Sequence, residues 1–89
     1  MRYRVLLSKS ALEFLKSNPQ REMFKKRLKH LEDAPFSSGS GADIKKLSGT
    51  KPQKYRLRLG RYRAVYVVEG TDVKVIEICK RSNVYDELK

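Results

Sequence analysis

Residues 55–63 read YRLRLGRYR, with four arginines in nine positions, two on each side of Gly60. Apart from the glycine, every other place is apolar or aromatic. Guanidinium suits phosphate because its planar fork of donors matches phosphate oxygens and it stays charged at any ordinary pH. Such a set could stabilise the charge that develops on a phosphate under attack. Gly60-Arg61 is the Gly-X pair of a two-residue type II′ hairpin. That turn sets Leu59 opposite Tyr62, Arg58 opposite Arg63 and Leu57 opposite Ala64. Side chains alternate across a sheet, so Leu57, Leu59, Tyr62, Ala64 and Tyr66 share one face. Arg56, Arg58 and Arg63 share the other, Lys54 continues their row, and Arg61 belongs to the turn. Directly opposed like charges destabilise a hairpin by up to about 1 kcal/mol. Two readings stand at this point: the arginines splay into water, where salt screens them, or they form a cationic floor that holds phosphate.

The rest of the chain must position that hairpin. Its 89 residues predict one domain over 1–89 with a single modest core. Twenty-one Lys and Arg against ten Asp and Glu leave a net charge of +11, a field that attracts polyanions without choosing among them. No apolar run approaches the roughly 20 residues that cross a bilayer. Met1–Ser8 reads as a strand rather than a signal peptide, so a cytoplasmic location is expected. One cysteine, Cys79, and one histidine, His30, give no intrachain disulfide and no expected metal site. A buried structural role is the expectation for Cys79 and a surface role for His30.

RYRVLLS (2–8) predicts a first strand, and Ser8 or Ser10 the cap of a helix that buries Ala11, Leu12 and Leu15 with Phe14 at its margin. Asn18-Pro19 interrupts that helix. A second helix then runs from Pro19 to Ala34, burying Phe24, Leu28 and Leu31, with Glu22 placed to pair with Lys26. A flexible loop is expected at about 36–43. Strand-like stretches follow at Lys54–Leu59, Tyr62–Val68 and Val73–Cys79, and the segment 82–89 ends the chain. The expected fold is α+β, in the order β-α-α-β-β-β, a helical hairpin on one face of a small, mainly antiparallel twisted sheet. The last strand's register stays open. A two-residue Gly70-Thr71 turn would pair Arg63 with Ile78 and bring Lys80 to the cationic face, and one more loop residue would bring Arg81 instead.

IKKLSG, KYRLRLGRYRAVYVV and VKVIEICKRSNVY together resemble the RelE branch of the RelE/ParE toxin superfamily over nearly the whole chain. The resemblance implies a toxin of a type II toxin–antitoxin system that enters the ribosomal A site, cuts mRNA there and is silenced by a cognate antitoxin, expected to be acidic. It implies catalytic roles for Arg56 and Arg58 before the turn, Arg63 after it, Arg81 after the last strand and Tyr85 near the C-terminus. Lys46 lies where the family often has another basic residue, and Lys54, Arg61 and Lys80 complete the expected RNA contacts. Bacterial members carry lysine where this chain has Arg56 and Arg58, and the interval from Arg81 to Tyr85 is shorter than in those relatives. No cofactor is implied.

The chemistry asked of these residues is attack of a 2′-OH on the adjacent phosphate. Preorganised cations stabilise the phosphorane oxygens, which suits Arg56, Arg58 and Arg63. Tyr85 is the candidate general base, its phenolate favoured by neighbouring guanidinium groups, although anchoring the tail is an equal alternative for it. Arg81 would stabilise the leaving group. Two other functions compete: a ParE-like inhibitor of DNA gyrase, and an RNA-binding module without catalysis.

Overall fold

The computed structural model describes residues 2–36, 43–47, 49 and 51–80. Strand β1 (Arg4–Leu7) leads into helices α1 (Lys9–Ser17) and α2 (Arg21–Lys29), and a 3-10 turn over His30–Glu32 extends the latter. Then come β2 (Ile44–Leu47), β3 (Lys54–Leu59), β4 (Tyr62–Glu69) and β5 (Asp72–Lys80). The five strands form one sheet in the order β1-β5-β4-β3-β2. β1 runs parallel to β5, and the other neighbours are antiparallel. The α+β class and the helical hairpin on one face are those expected. The sheet has one strand more, because IKKL pairs along β3 with Ile44 opposite Leu57 and Leu47 opposite Lys54. With two adjacent lysines, that tetrapeptide shows no alternation of its own; its neighbour dictates the conformation.

Ser8 caps α1: its extended backbone ends β1, and its Oγ accepts from the Ala11 amide at 3.2 Å. Asn18 closes the helix in the extended conformation that a following proline favours, and its Oδ1 accepts from the Gln20 amide at 2.8 Å. The three-residue link this builds, Asn18, Pro19 and Gln20, delays α2 to Arg21, so Pro19 stands before the helix rather than in its first turn. Glu22 pairs with Lys25 at 3.7 Å, one residue nearer than the expected Lys26.

Ala11, Leu15, Phe24, Leu28 and Leu31 from the helical layer meet Leu57, Leu59, Ala64, Tyr66, Val73, Val75 and Ile78 from the sheet. Burial of each leucine-sized side chain contributes about 1.5–3 kcal/mol, so this layer is what fixes the sheet's orientation. Leu12 departs from expectation: it is 42% exposed. It borders a cavity of about 590 Å³ between α1, α2 and β1, whose apolar lining includes Leu7, Leu15 and Leu28. Phe14 and Tyr62 meet edge to face at 5.1 Å, tying the turn end of the hairpin to α1, and Tyr55 stacks on its cross-strand partner Tyr66 at 5.6 Å at the other end.

Between Val65 and Tyr66 the β4–β5 ladder shifts by one residue, with Glu77 opposite Val65 and Val75 opposite Tyr66. Ile76 is the extra residue. Its carbonyl accepts from the Ser8 hydroxyl at 2.5 Å, so the helix cap also satisfies the bulge.

Candidate functional site

The β3–β4 hairpin has the register that a two-residue turn demands: Arg58 opposite Arg63, Leu57 opposite Ala64 and Leu59 opposite Tyr62. Gly60 sits at φ +64°, a region where a side chain is strained, which explains the glycine. Tyr55, Leu57, Leu59, Tyr62, Ala64 and Tyr66 fall on the helical side. Lys54, Arg56, Arg58, Arg63, Val65 and Val67 fall on the other.

The flanking strands extend that second face. Lys45 lies opposite Arg56, Cys79 opposite Arg63 and Glu77 opposite Val65. The Arg58 amide donates to the Asp43 carbonyl at 2.9 Å, which carries the ladder one step past β2. One cross-strand row therefore reads Cys79, Arg63, Arg58, Asp43, and its neighbour reads Glu77, Val65, Arg56, Lys45.

Burial separates the three arginines. Arg63 is 2% exposed and Arg56 7%, while the Arg58 side chain is 45% exposed. The splayed reading fails for two of the three. Nε and Nη2 of Arg63 lie wholly out of solvent. A guanidinium held away from water acts on its surroundings with less screening than one in solution. Arg58 stands directly opposite, half in water, with Asp43 Oδ2 at 3.8 Å from its Nη1. Of the three, Arg58 is the one that solvent reaches.

At the far end of the same face the charges are balanced. Arg4 pairs with Asp72 at 3.2 Å, and Lys74 pairs with Glu69, whose hydrogen bond raises the lysine's pKa. The basic character of the face therefore collects around the hairpin turn.

The fold gathers some of the expected residues and separates others. Arg56, Arg58, Arg63 and Lys54 share the face, and Arg61 is exposed in the turn. Lys46 pairs with Tyr55 and so belongs to the helical side, while Lys45, not singled out in the sequence, takes the arginine side. The Gly70-Thr71 connection is the two-residue one, with Glu69 opposite Asp72, yet the bulge at Ile76 reverses its consequence. Lys80 pairs with Tyr62, away from the arginines, and half-buried Cys79 comes to their side. Arg81 and Tyr85, with the segment 82–89, lie outside the described residues, as do positions 37–42 of the expected loop. His30 lies in the 3-10 turn after α2. Among the described residues no cluster of three or more His, Cys, Asp or Glu side chains is arranged to hold a metal ion. No helix among them is long and apolar enough to cross a membrane.

Asp43 was missed in the sequence although a signal was there. It is the only acid between Asp33 and Glu69, in a stretch that carries eight lysines and arginines.

A helical hairpin covering one side of a mixed sheet, with an arginine-bearing β-hairpin whose charged side chains fall on the other, defines a small cationic α+β protein. Solved structures of this class are similar over almost the whole chain. A chain of the archaeal RelE–RelB complex from Pyrococcus horikoshii is 32% identical at a TM-score of 0.77, with 91% of this chain and 97% of that one covered. The isolated E. coli RelE toxin is 31% identical at 0.70, with coverages of 97% and 94%. The RelB–RelE antitoxin–toxin complex from Methanococcus jannaschii gives 27% at 0.71, with 94% and 99% covered. No protein-family model and no curated protein matches the chain. The chain belongs to the RelE-like toxin superfamily.

Proposed function

We propose that this protein is the toxin of a type II toxin–antitoxin system and an endoribonuclease that cuts mRNA in the ribosomal A site. The observation that carries the reading is the placing of Arg56, Arg58 and Arg63 on one sheet face, two of them buried and one at the surface. In the reaction proposed, the 2′-oxygen attacks the adjacent phosphorus and the 5′-oxygen leaves. One proton departs from the 2′-OH and one reaches the leaving oxygen, yielding a 2′,3′-cyclic phosphate and a free 5′-OH. Negative charge gathers on the non-bridging oxygens midway. Fixed guanidinium groups answer it without reorganising, and this is commonly the largest catalytic term. The ribosome holds the message, so in-line alignment comes partly from the substrate's own setting.

By the family resemblance, Tyr85 takes the 2′-OH proton and Arg81 stabilises the leaving oxygen. Lys45 and Lys54 flank Arg56 and would track the phosphate backbone on either side of the cut. The partner that silences the protein is proposed to be an acidic antitoxin, as the RelE–RelB complexes among its structural relatives suggest.

The test is to map mRNA 5′ ends after incubation with programmed ribosomes, wild type against Arg63→Ala. Cuts within A-site codons are expected from the wild type, with a loss of at least about a hundredfold in the variant, the scale for removing one preorganised charge-stabilising group. Intact mRNA together with DNA damage on induction would instead favour gyrase inhibition. RNA binding without cutting would leave a non-catalytic module.

A further inference from the structure

Arg58 has a carboxylate beside it: Asp43 Oδ2 lies 3.8 Å from its Nη1. That separation is too long for a good hydrogen bond and short enough for attraction between opposite charges. Both side chains are about half exposed, at 45% for Arg58 and 52% for Asp43. Exposed pairs of this kind are weak and exchange readily. The backbone keeps Asp43 in place all the same, because its carbonyl accepts from the Arg58 amide at 2.9 Å. The carboxylate therefore stands at the end of the row Cys79, Arg63, Arg58, on the side of Arg58 away from Arg63.

Carboxylate and phosphate oxygens present the same target to a guanidinium. We infer that Asp43 is an internal stand-in for phosphate: it holds Arg58 over the face of the free protein and is displaced when nucleic acid binds. The inference rests on the reading of this face as an RNA site and adds a regulator of its affinity. In the free protein Asp43 offsets part of the positive charge that Arg58 brings to the face. On binding, the phosphate takes over that task and Asp43 turns to water, which its exposure permits. Asp43 is thus a positioning residue acting through Arg58, and it tunes the site toward release.

The test titrates a single-stranded 2′-deoxy oligonucleotide, which lacks the 2′-OH and cannot be cut, against wild type, Asp43→Asn, Asp43→Glu, Arg58→Ala and the Asp43→Asn/Arg58→Ala double variant. Asp43→Asn should bind about two- to fivefold tighter at low salt, the scale of one exposed ion pair. Asp43→Glu should restore wild-type affinity. In the Arg58→Ala background the asparagine should change nothing. An equal gain in that background would show that net charge alone matters and would overturn the inference, as would unchanged or weaker binding by Asp43→Asn. Asp43→Asn that binds as the wild type but no longer cuts message on ribosomes would make Asp43 a proton acceptor instead. Absence of binding by every protein would instead remove the RNA reading itself.

Discussion

Arg58 and Arg63 face each other across one rung of the hairpin yet occupy different media, one half in water and the other sealed. In the function proposed, such a pair would divide the work of a phosphate site, with capture at the surface by Arg58 and charge stabilisation by Arg63. On the opposite face a single residue shows how burial acts on an ionisable group. Tyr66 is fully buried and donates from its hydroxyl to the Pro35 carbonyl at 2.6 Å. Burial, with neighbouring Tyr55 adding to it, raises the phenol's pKa well above its ordinary 10.0. The folded state therefore keeps this proton where the unfolded chain gives it up. Its contribution is complete below about pH 10 and is lost as pH rises through the folded value. Tyr66→Phe should cost about 1 kcal/mol at neutral pH, since the Pro35 carbonyl loses its donor. The gap between wild type and variant should then narrow above about pH 10. Denaturant titrations at neutral and alkaline pH check this; a gap of constant size would assign the alkaline sensitivity to other groups.

The hairpin's parity was legible because Gly60 confines the turn to two residues and local alternation does the rest. The register of β5 was not, although its turn also has two residues, because a bulge at Ile76 intervenes. That bulge depends on Ser8, distant in sequence, whose Oγ serves both the Ala11 amide and the Ile76 carbonyl. No local pattern announces such a contact. For the same reason an unbulged count would bring Lys80 to the arginine face where the fold brings Cys79; Lys46 followed from the family resemblance, and the β2–β3 register puts Lys45 there instead. β2 was hidden too, since Ile44–Leu47 becomes a strand only by pairing with β3. Ser8→Ala removes the cap and the shorter of the two hydroxyl contacts on the Ile76 carbonyl, leaving Ser10 Oγ at 3.4 Å, and should cost about 1–2 kcal/mol, at the upper end for a cap. Amide exchange along Ile76–Cys79 should speed up more than exchange in β3, a comparison that hydrogen-exchange measurements can make. Uniform acceleration across the sheet would mean that Ser8 serves α1 alone. Ser8→Thr, which keeps the hydroxyl, should recover most of the loss.

At the scale of the molecule, the +11 charge is not confined to one face. Exposed Lys25, Lys26, Arg27 and Lys29 line α2 on the helical layer, while Arg56, Arg58, Arg63, Lys45 and Lys54 gather on the far side of the sheet. Both sets draw a polyanion by long-range attraction, but only cations that contact phosphates release condensed counterions when it docks. For single strands each neutralised phosphate contributes about −0.7 to the slope of log affinity against log salt. Arg58→Ala should therefore flatten that slope by about 0.7. Lys26→Ala removes the same charge from the exposed side of α2 and should lower affinity slightly at low salt without changing the slope. Binding of a single-stranded 2′-deoxy oligonucleotide, followed by anisotropy across a series of salt concentrations, separates the two. Equal flattening by both substitutions would mean that nucleic acid binds the molecule's overall charge, and the arginine hairpin would lose its privileged place. A change confined to Arg58→Ala would locate the docking on the sheet face, where the buried arginines wait behind the exposed one.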